Sequence, residues 1–192
     1  MRETGIDRDT LVVFTSDNGG ERFSDNWPFV GNKMDLMEGG IRVPLIARWP
    51  ARIGAGSRTG SSAITMDWVA TMLEAAGVAP DPAYPLDGVS LLPLFADPSW
   101  DPSRRLYWRM AHRKQRALLD GRWKYLRVDA HDYLFDLDHD ERERANQATR
   151  DPARLNSMRD EWEAWAATMP GIPADARVSL VFGEAQMPRA TY

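Results

Sequence analysis

The feature that most constrains this chain is the unbroken apolar run Leu11-Val12-Val13-Phe14, which opens directly into Thr15-Ser16-Asp17-Asn18-Gly19-Gly20. An apolar run without polar alternation is the pattern of a strand covered by helices on both faces. In open α/β sheets, ligands bind beyond the C-terminal ends of such strands, where loops free of sheet hydrogen bonding converge. Asp17 and Asn18 fall at that end. A carboxylate beside an amide oxygen is a hard-oxygen pair suited to Ca²⁺ or Mg²⁺, and the two glycines permit a sharp turn and a close backbone approach. The same four residues also make an ordinary turn, so this stretch alone leaves turn and metal site both open.

A second stretch follows in order: Lys33, then Glu38-Gly39-Gly40-Ile41-Arg42-Val43-Pro44, then an apolar strand over Val43–Trp49 closed by Pro50. With the first stretch, this order resembles the C-terminal half of a sulfatase, the arylsulfatase branch of the alkaline-phosphatase-like hydrolases. The motifs align over Thr10–Pro50, and weaker similarity continues to about Pro170. The resemblance implies that Asp17 and Asn18 are two of the calcium ligands and that Lys33 contacts the sulfate ester. An ammonium placed there neutralises charge on a sulfate oxygen and stabilises the leaving oxygen, and a divalent ion polarises the same group. Glu38 and Arg42 are read as structural, an ion pair or hydrogen-bond clamp on the loop, and Gly39 and Gly40 as the close turn.

Members of that family act through a formylglycine made from the Cys or Ser of a Cys/Ser-x-Pro/Ala-x-Arg motif. This sequence contains no Cys, and none of its serines begins that pattern. The family's N-terminal aspartate pair and its acid and base histidines also lack counterparts, since His112, His131 and His139 all lie downstream. The expectation is a chain that carries half an active site and is inactive by itself, its partners being a sulfate ester and the missing N-terminal half. A non-catalytic sulfated-ligand-binding remnant and a phosphate or phosphonate ester hydrolase are the alternatives. A buried strand so near Met1 leads to the further expectation that Met1 is internal to a longer protein. No signal-peptide core is visible, so the location is cytoplasmic only if Met1 is the true start.

At 192 residues, 43% hydrophobic and 27% charged, the chain has the composition of a globular domain or two small ones. A net charge of −4 with mixed signs gives no electrostatic case for nucleic acid or an anionic membrane. No apolar run approaches the roughly 20 residues of a membrane span.

The expected fold is α/β: part of an alkaline-phosphatase-like mixed sheet, then a small antiparallel sheet packed on a C-terminal helix. Residues 1–100 are assigned to the catalytic α/β domain, 101–170 to the small-sheet subdomain and 171–192 to an irregular tail. Met1–Asp9 reads as a helix tail and its exit loop, Arg52–Ser62 as an exposed loop. Ile64–Ala76 reads as a helix capped by Thr65, with Val69, Met72, Leu73 and Ala76 inward and Gly77 as its stop. A proline-punctuated linker precedes a short helix over Leu91–Phe95. Strands are expected over Leu106–Met110, Arg116–Leu119, Trp123–Val128 and Tyr133–Leu137. Asp151-Pro152 then opens a helix whose stripe Leu155, Met158, Trp162 and Trp165 covers the sheet. Asp136, Asp138 and Asp140 imitate the start of an EF-hand loop, but Glu141 and Gln147 stand where Gly and a bidentate Glu are required, so the run is read as a strand end and solvated turn.

Overall fold

The computed structural model describes residues 1, 3–21 and 23–176. They form two compact units, one of Met1–Gly19 with Arg42–Arg104 and one of Gly20–Ile41 with the chain from Arg105 onward. The sequence-based division placed residues 20–41 with the first part; their contacts place them in the second unit. Of the tail expected over 171–192, residues 177–192 lie outside the described residues, and 171–176 form no helix or strand.

In the first unit, β1 (Val12–Thr15) pairs antiparallel with β2 (Leu45–Arg48), with Phe14 opposite Ile46. This corrects the expected strand buried on both faces, for Phe14 is 64% and Ile46 61% exposed. The apolar run was correctly a strand, but Val12 and Phe14 are exposed in it and Val13 is only partly buried. The N-terminal stretch forms turns in place of the expected helix tail. It is tied to β2 by a two-pronged Asp7–Arg48 ion pair at 2.8 and 2.9 Å.

Helix α2 (Asp67–Ala75) has the expected place but a different buried face. Asp67, Ala70 and Thr71 are buried, while Val69 and Met72 are more than half exposed. Thr65 is not its cap. Asp67, fully buried, accepts the Ile64 and Val89 N–H groups at 2.8 and 3.0 Å and pairs with both terminal nitrogens of Arg104. A buried carboxylate satisfied from four directions fixes the helix start more firmly than a hydroxyl cap, because each unmade bond would cost desolvation. Gly77, at φ +68°, ends the helix as expected. The short α3 (Leu92–Ala96) is held by the Leu91 N–H donating to the Thr71 hydroxyl at 2.9 Å.

In the second unit, β3 (Arg105–Arg109), β4 (Arg116–Asp120), β5 (Trp123–Val128) and β6 (His131–Asp136) form an antiparallel meander in sequence order. Gly121 (φ +57°) makes the β4–β5 turn. Both faces of the sheet are covered. Leu118, Tyr125 and Leu134 pack on Met158 and Trp162 of α4 (Pro152–Ala167), as the tryptophan stripe predicted. Asp151 caps α4 by accepting the Arg154 N–H at 3.0 Å. On the other face, Ala117, Leu126 and Phe135 pack on Leu36, with Met37 and Ile41 at the margin. The one-turn helix α1 (Glu38–Ile41) and the loop before it thus act as the second cover of the sheet. Among the described residues, no helix is long and apolar enough to cross a membrane.

Candidate functional site

Asp17 and Asn18 lie in the first unit, just past β1. Ser16 folds the turn by donating its hydroxyl to the Asn18 carbonyl at 2.8 Å. Asp17 is exposed and Asn18 half-buried, so both side-chain oxygens are within reach of an ion. They are donors of the right kind and too few in number, since calcium takes six to eight oxygens. Among the described residues, no group of three or more His, Cys, Asp and Glu side chains converges as a metal site.

Lys33 lies in the second unit, on a loop whose shape is set by backbone contacts. Its N–H donates to the Gly20 carbonyl at 3.0 Å. Asn26 clamps the same loop, accepting the Gly20 N–H at 2.9 Å and donating to the carbonyls of Gly20 and Gly31 at 3.1 and 3.2 Å. Gly31, at φ +92°, reverses the chain, and Asp35 accepts the Asn32 N–H at 3.1 Å. The glycine pair of the second motif then explains itself. A Cβ on Gly39 would lie 2.3 Å from the Gly31 carbonyl oxygen, and one on Gly40 would lie 2.0 Å from that of Asp35. Two glycines therefore allow α1 to press directly against the lysine loop. The Lys33 side chain is 39% exposed, and its ammonium lies 4.0 Å from Glu21. At that distance and exposure the pair is weak, and the ammonium stays available to an external anion.

The small sheet grips this loop from beneath through residues that sequence reasoning missed. Gln115, buried, accepts the Leu36 N–H at 2.9 Å and donates to the Met34 carbonyl at 2.7 Å, bracketing the loop just after Lys33. Lys124 of β5 is fully buried, with its ammonium 2.8 Å from Glu38 and 2.8 Å from Glu143. Glu143 also accepts the Glu38 N–H at 2.6 Å. The expected structural role of Glu38 is thus met by an ion pair with a lysine 86 positions away. One sequence signal marked Lys124: it alternates with Leu126 and Val128, an otherwise apolar strand phase that packs inward.

Two carboxylates share one buried ammonium here. Burial pushes the Glu143 carboxyl above its usual value of 4.5, while the Lys124 ammonium and the Glu38 N–H pull it down less strongly. A carboxyl whose folded value is raised contributes stability below about pH 4.5 that is lost as pH rises through the folded value. The stability difference between wild type and Glu143→Gln should therefore change with pH above that point, by at most ~1.4 kcal/mol per pH unit. Urea unfolding across pH 4–8 checks this, and parallel profiles would contradict it.

Comparison with known proteins meets this geometry at the same residues. A family profile described as Sulfatase matches residues 1–78, a range that contains Asp17, Asn18, Lys33 and the Glu38-Gly39-Gly40 turn. Mouse (Mus musculus) N-acetylgalactosamine-6-sulfatase is 39% identical over 99 residues, covering 48% of this chain and 19% of that protein. These matches make the chain similar to members of the sulfatase family. Xenopus laevis arylsulfatase K is 33% identical over 174 residues, 82% of this chain and 31% of that protein, so the similarity of the sulfatase chain extends through the small sheet. The solved structure of Ps i-CgsB superposes with a TM-score of 0.78 at 28% identity, covering 86% of this chain and 38% of that one. The alkaline-phosphatase-like α/β fold is that of these sulfatase neighbours. The chain spans about a fifth to a third of the curated relatives it matches.

Proposed function

We propose that this chain is the part of a sulfuric ester hydrolase that presents Lys33 to the sulfate ester and contributes Asp17 and Asn18 to a calcium site. The observation that carries this reading is the construction around Lys33. Asn26, Gln115 and the Gly39-Gly40 turn fix the backbone on both sides of the residue, and among the described residues its ammonium has an ion-pair contact only with Glu21, at 4.0 Å. A fixed cation with little competing charge is what stabilises negative charge building on a leaving ester oxygen, because no reorganisation is needed at the moment of reaction. Asp17 and Asn18 would hold calcium with oxygens from elsewhere, and a bound divalent ion supplies Lewis-acid polarisation of the ester.

The formylglycine motif is absent from these 192 residues, so on this reading the nucleophile comes from a complementary segment and the chain alone turns over no substrate. Among the matched relatives are an N-acetylgalactosamine-6-sulfatase and a steryl-sulfatase, which makes sugar sulfates and other sulfate monoesters the substrate class to test.

A chimera tests it. Grafted in place of the matching segment of Xenopus arylsulfatase K, this chain should support aryl sulfate hydrolysis. Lys33→Ala in that chimera should lower kcat by about 10²-fold or more. A folded chimera equally active with alanine at position 33 would sink the assignment of Lys33, and hydrolysis by the isolated chain would sink the need for a complementary segment.

A further inference from the structure

A second cationic feature lies on the small sheet, on the face that α4 covers and apart in sequence from the Lys33 loop. Arg109, Arg116 and Arg127 stand opposite one another on three successive strands. They share the strand phase of Tyr107, Leu118 and Tyr125, which pack on α4. Like charges directly opposite in a sheet are destabilising, and the compensation is thin. Arg127 reaches Asp132 at 3.6 Å, while Arg116 reaches Glu163 at 3.4 Å and lies over the Trp162 ring. Among the described residues, neither Arg109 nor Lys114 has an ion-pair partner.

Beside this row is a pocket of about 410 Å³ lined by Lys114, Arg116, Arg127, Asp129 and Ala130, within the range of roughly 300–1,000 Å³ typical of small-molecule sites. Three cations face it and one carboxylate, that of Asp129, which Arg113 draws to itself at 3.1 Å. Two of its lining residues, Lys114 and Asp129, have left-handed backbone at φ +48° and +54°, as does the neighbouring Arg113 at +52°. The Asp129 N–H donates to the Arg113 carbonyl at 2.7 Å and locks the two turns together. In a chain of net charge −4, an incompletely neutralised cluster held by non-glycine residues in left-handed geometry is an arrangement that needs a reason.

We propose that this pocket binds a tetrahedral oxyanion, sulfate or phosphate, presented either as an ester on a sugar or as the free ion. Lys114 supplies an unpaired ammonium, Arg116 and Arg127 planar donors suited to two oxygens of one anion. The incoming charge relieves the repulsion along the arginine row. The preference for a sugar sulfate rests on the sulfatase reading; the oxyanion site itself does not.

The three lysines of the sequence, Lys33, Lys114 and Lys124, make the test direct. In full-length chain labelled at lysine Nζ, the Lys114 signal should shift saturably with sodium sulfate and with galactose 6-sulfate, and not with galactose. Tighter binding of the ester than of the ion would assign the sugar sulfate, and equal binding the free oxyanion. Lys114→Gln, read by titration calorimetry because it removes the reporter, should weaken binding by on the order of tenfold, the loss of one charge-assisted hydrogen bond. Asp129→Asn, which keeps a residue tolerant of left-handed backbone, should tighten it severalfold by removing the opposing charge. A merely structural role would not produce opposite signs from these two substitutions. A silent Lys114 signal, or an Asp129→Asn variant that binds no better than wild type, would overturn the proposal. Lys33→Ala should leave the Lys114 response intact, so a failure at Lys33 alone would discard the sulfatase reading and leave this site standing.

Discussion

Replacing Lys124 with methionine is expected to destabilise the second unit by about 3–5 kcal/mol, the cost of leaving buried charge without its partner. The ammonium is fully buried, with Glu38 and Glu143 both at 2.8 Å and almost wholly buried themselves. Methionine has a similar volume, so the loss is electrostatic, with packing nearly conserved. Urea unfolding followed by tryptophan fluorescence measures it, since Trp108, Trp123, Trp162 and Trp165 report on the sheet and α4. Replacing all three members with apolar residues should recover part of the loss, because the desolvation of three charges disappears together. Recovery should be incomplete, as Glu143 also accepts the Glu38 N–H at 2.6 Å. A Lys124→Met variant within 1 kcal/mol of wild type would show that the triad does not hold this unit.

Gly40→Ala should be nearly as damaging and more local in its consequence. The added Cβ would lie 2.0 Å from the Asp35 carbonyl oxygen and 2.6 Å from that of Asn32. Both obstacles are backbone, so no side chain can swing aside. Either α1 lifts from the loop or the loop that carries Lys33 is pushed away, at a cost of about 2–3 kcal/mol by the precedent of overpacked cores. The expected result is a lower unfolding midpoint together with a displaced Lys33 resonance. The same substitution at Gly121, where no heavy atom lies within 4 Å of the added Cβ, supplies a control limited to the strain of φ +57°. Equal stability losses at positions 40 and 121 would show that close approach is not what Gly40 provides.

The parts of this structure that were legible in the sequence are those with local causes. The meander was readable because Asp120-Gly121 and the short aromatic runs mark strands and turns at close range. Helix α4 was readable because Asp151 and Pro152 announce its start, and Met158 and Trp162 repeat at helical spacing. The motif around Lys33 was readable as a motif, but its support was not. Gln115 reaches back to Met34 across 81 positions and Lys124 to Glu38 across 86, and pairing at such separations leaves no local trace. β1 failed in the other direction. Its apolar run correctly signalled a strand but not its company, since pattern reports what a strand is suited to and not which elements cover it. The buried face of α2 was misassigned for a related reason. Asp67, outside the expected inward stripe, is buried because Arg104 meets it from 37 positions away.

The measurement that bears most directly on the account is a titration of the lysine-labelled chain with 4-nitrophenyl sulfate, read at the three ammonium groups. Lys33 is predicted to shift saturably with the ester, and Lys124, sealed between two carboxylates, to stay silent. A Lys33 signal that does not move at any concentration of the sulfate ester would contradict the claim that this fold is built to present that lysine to its substrate.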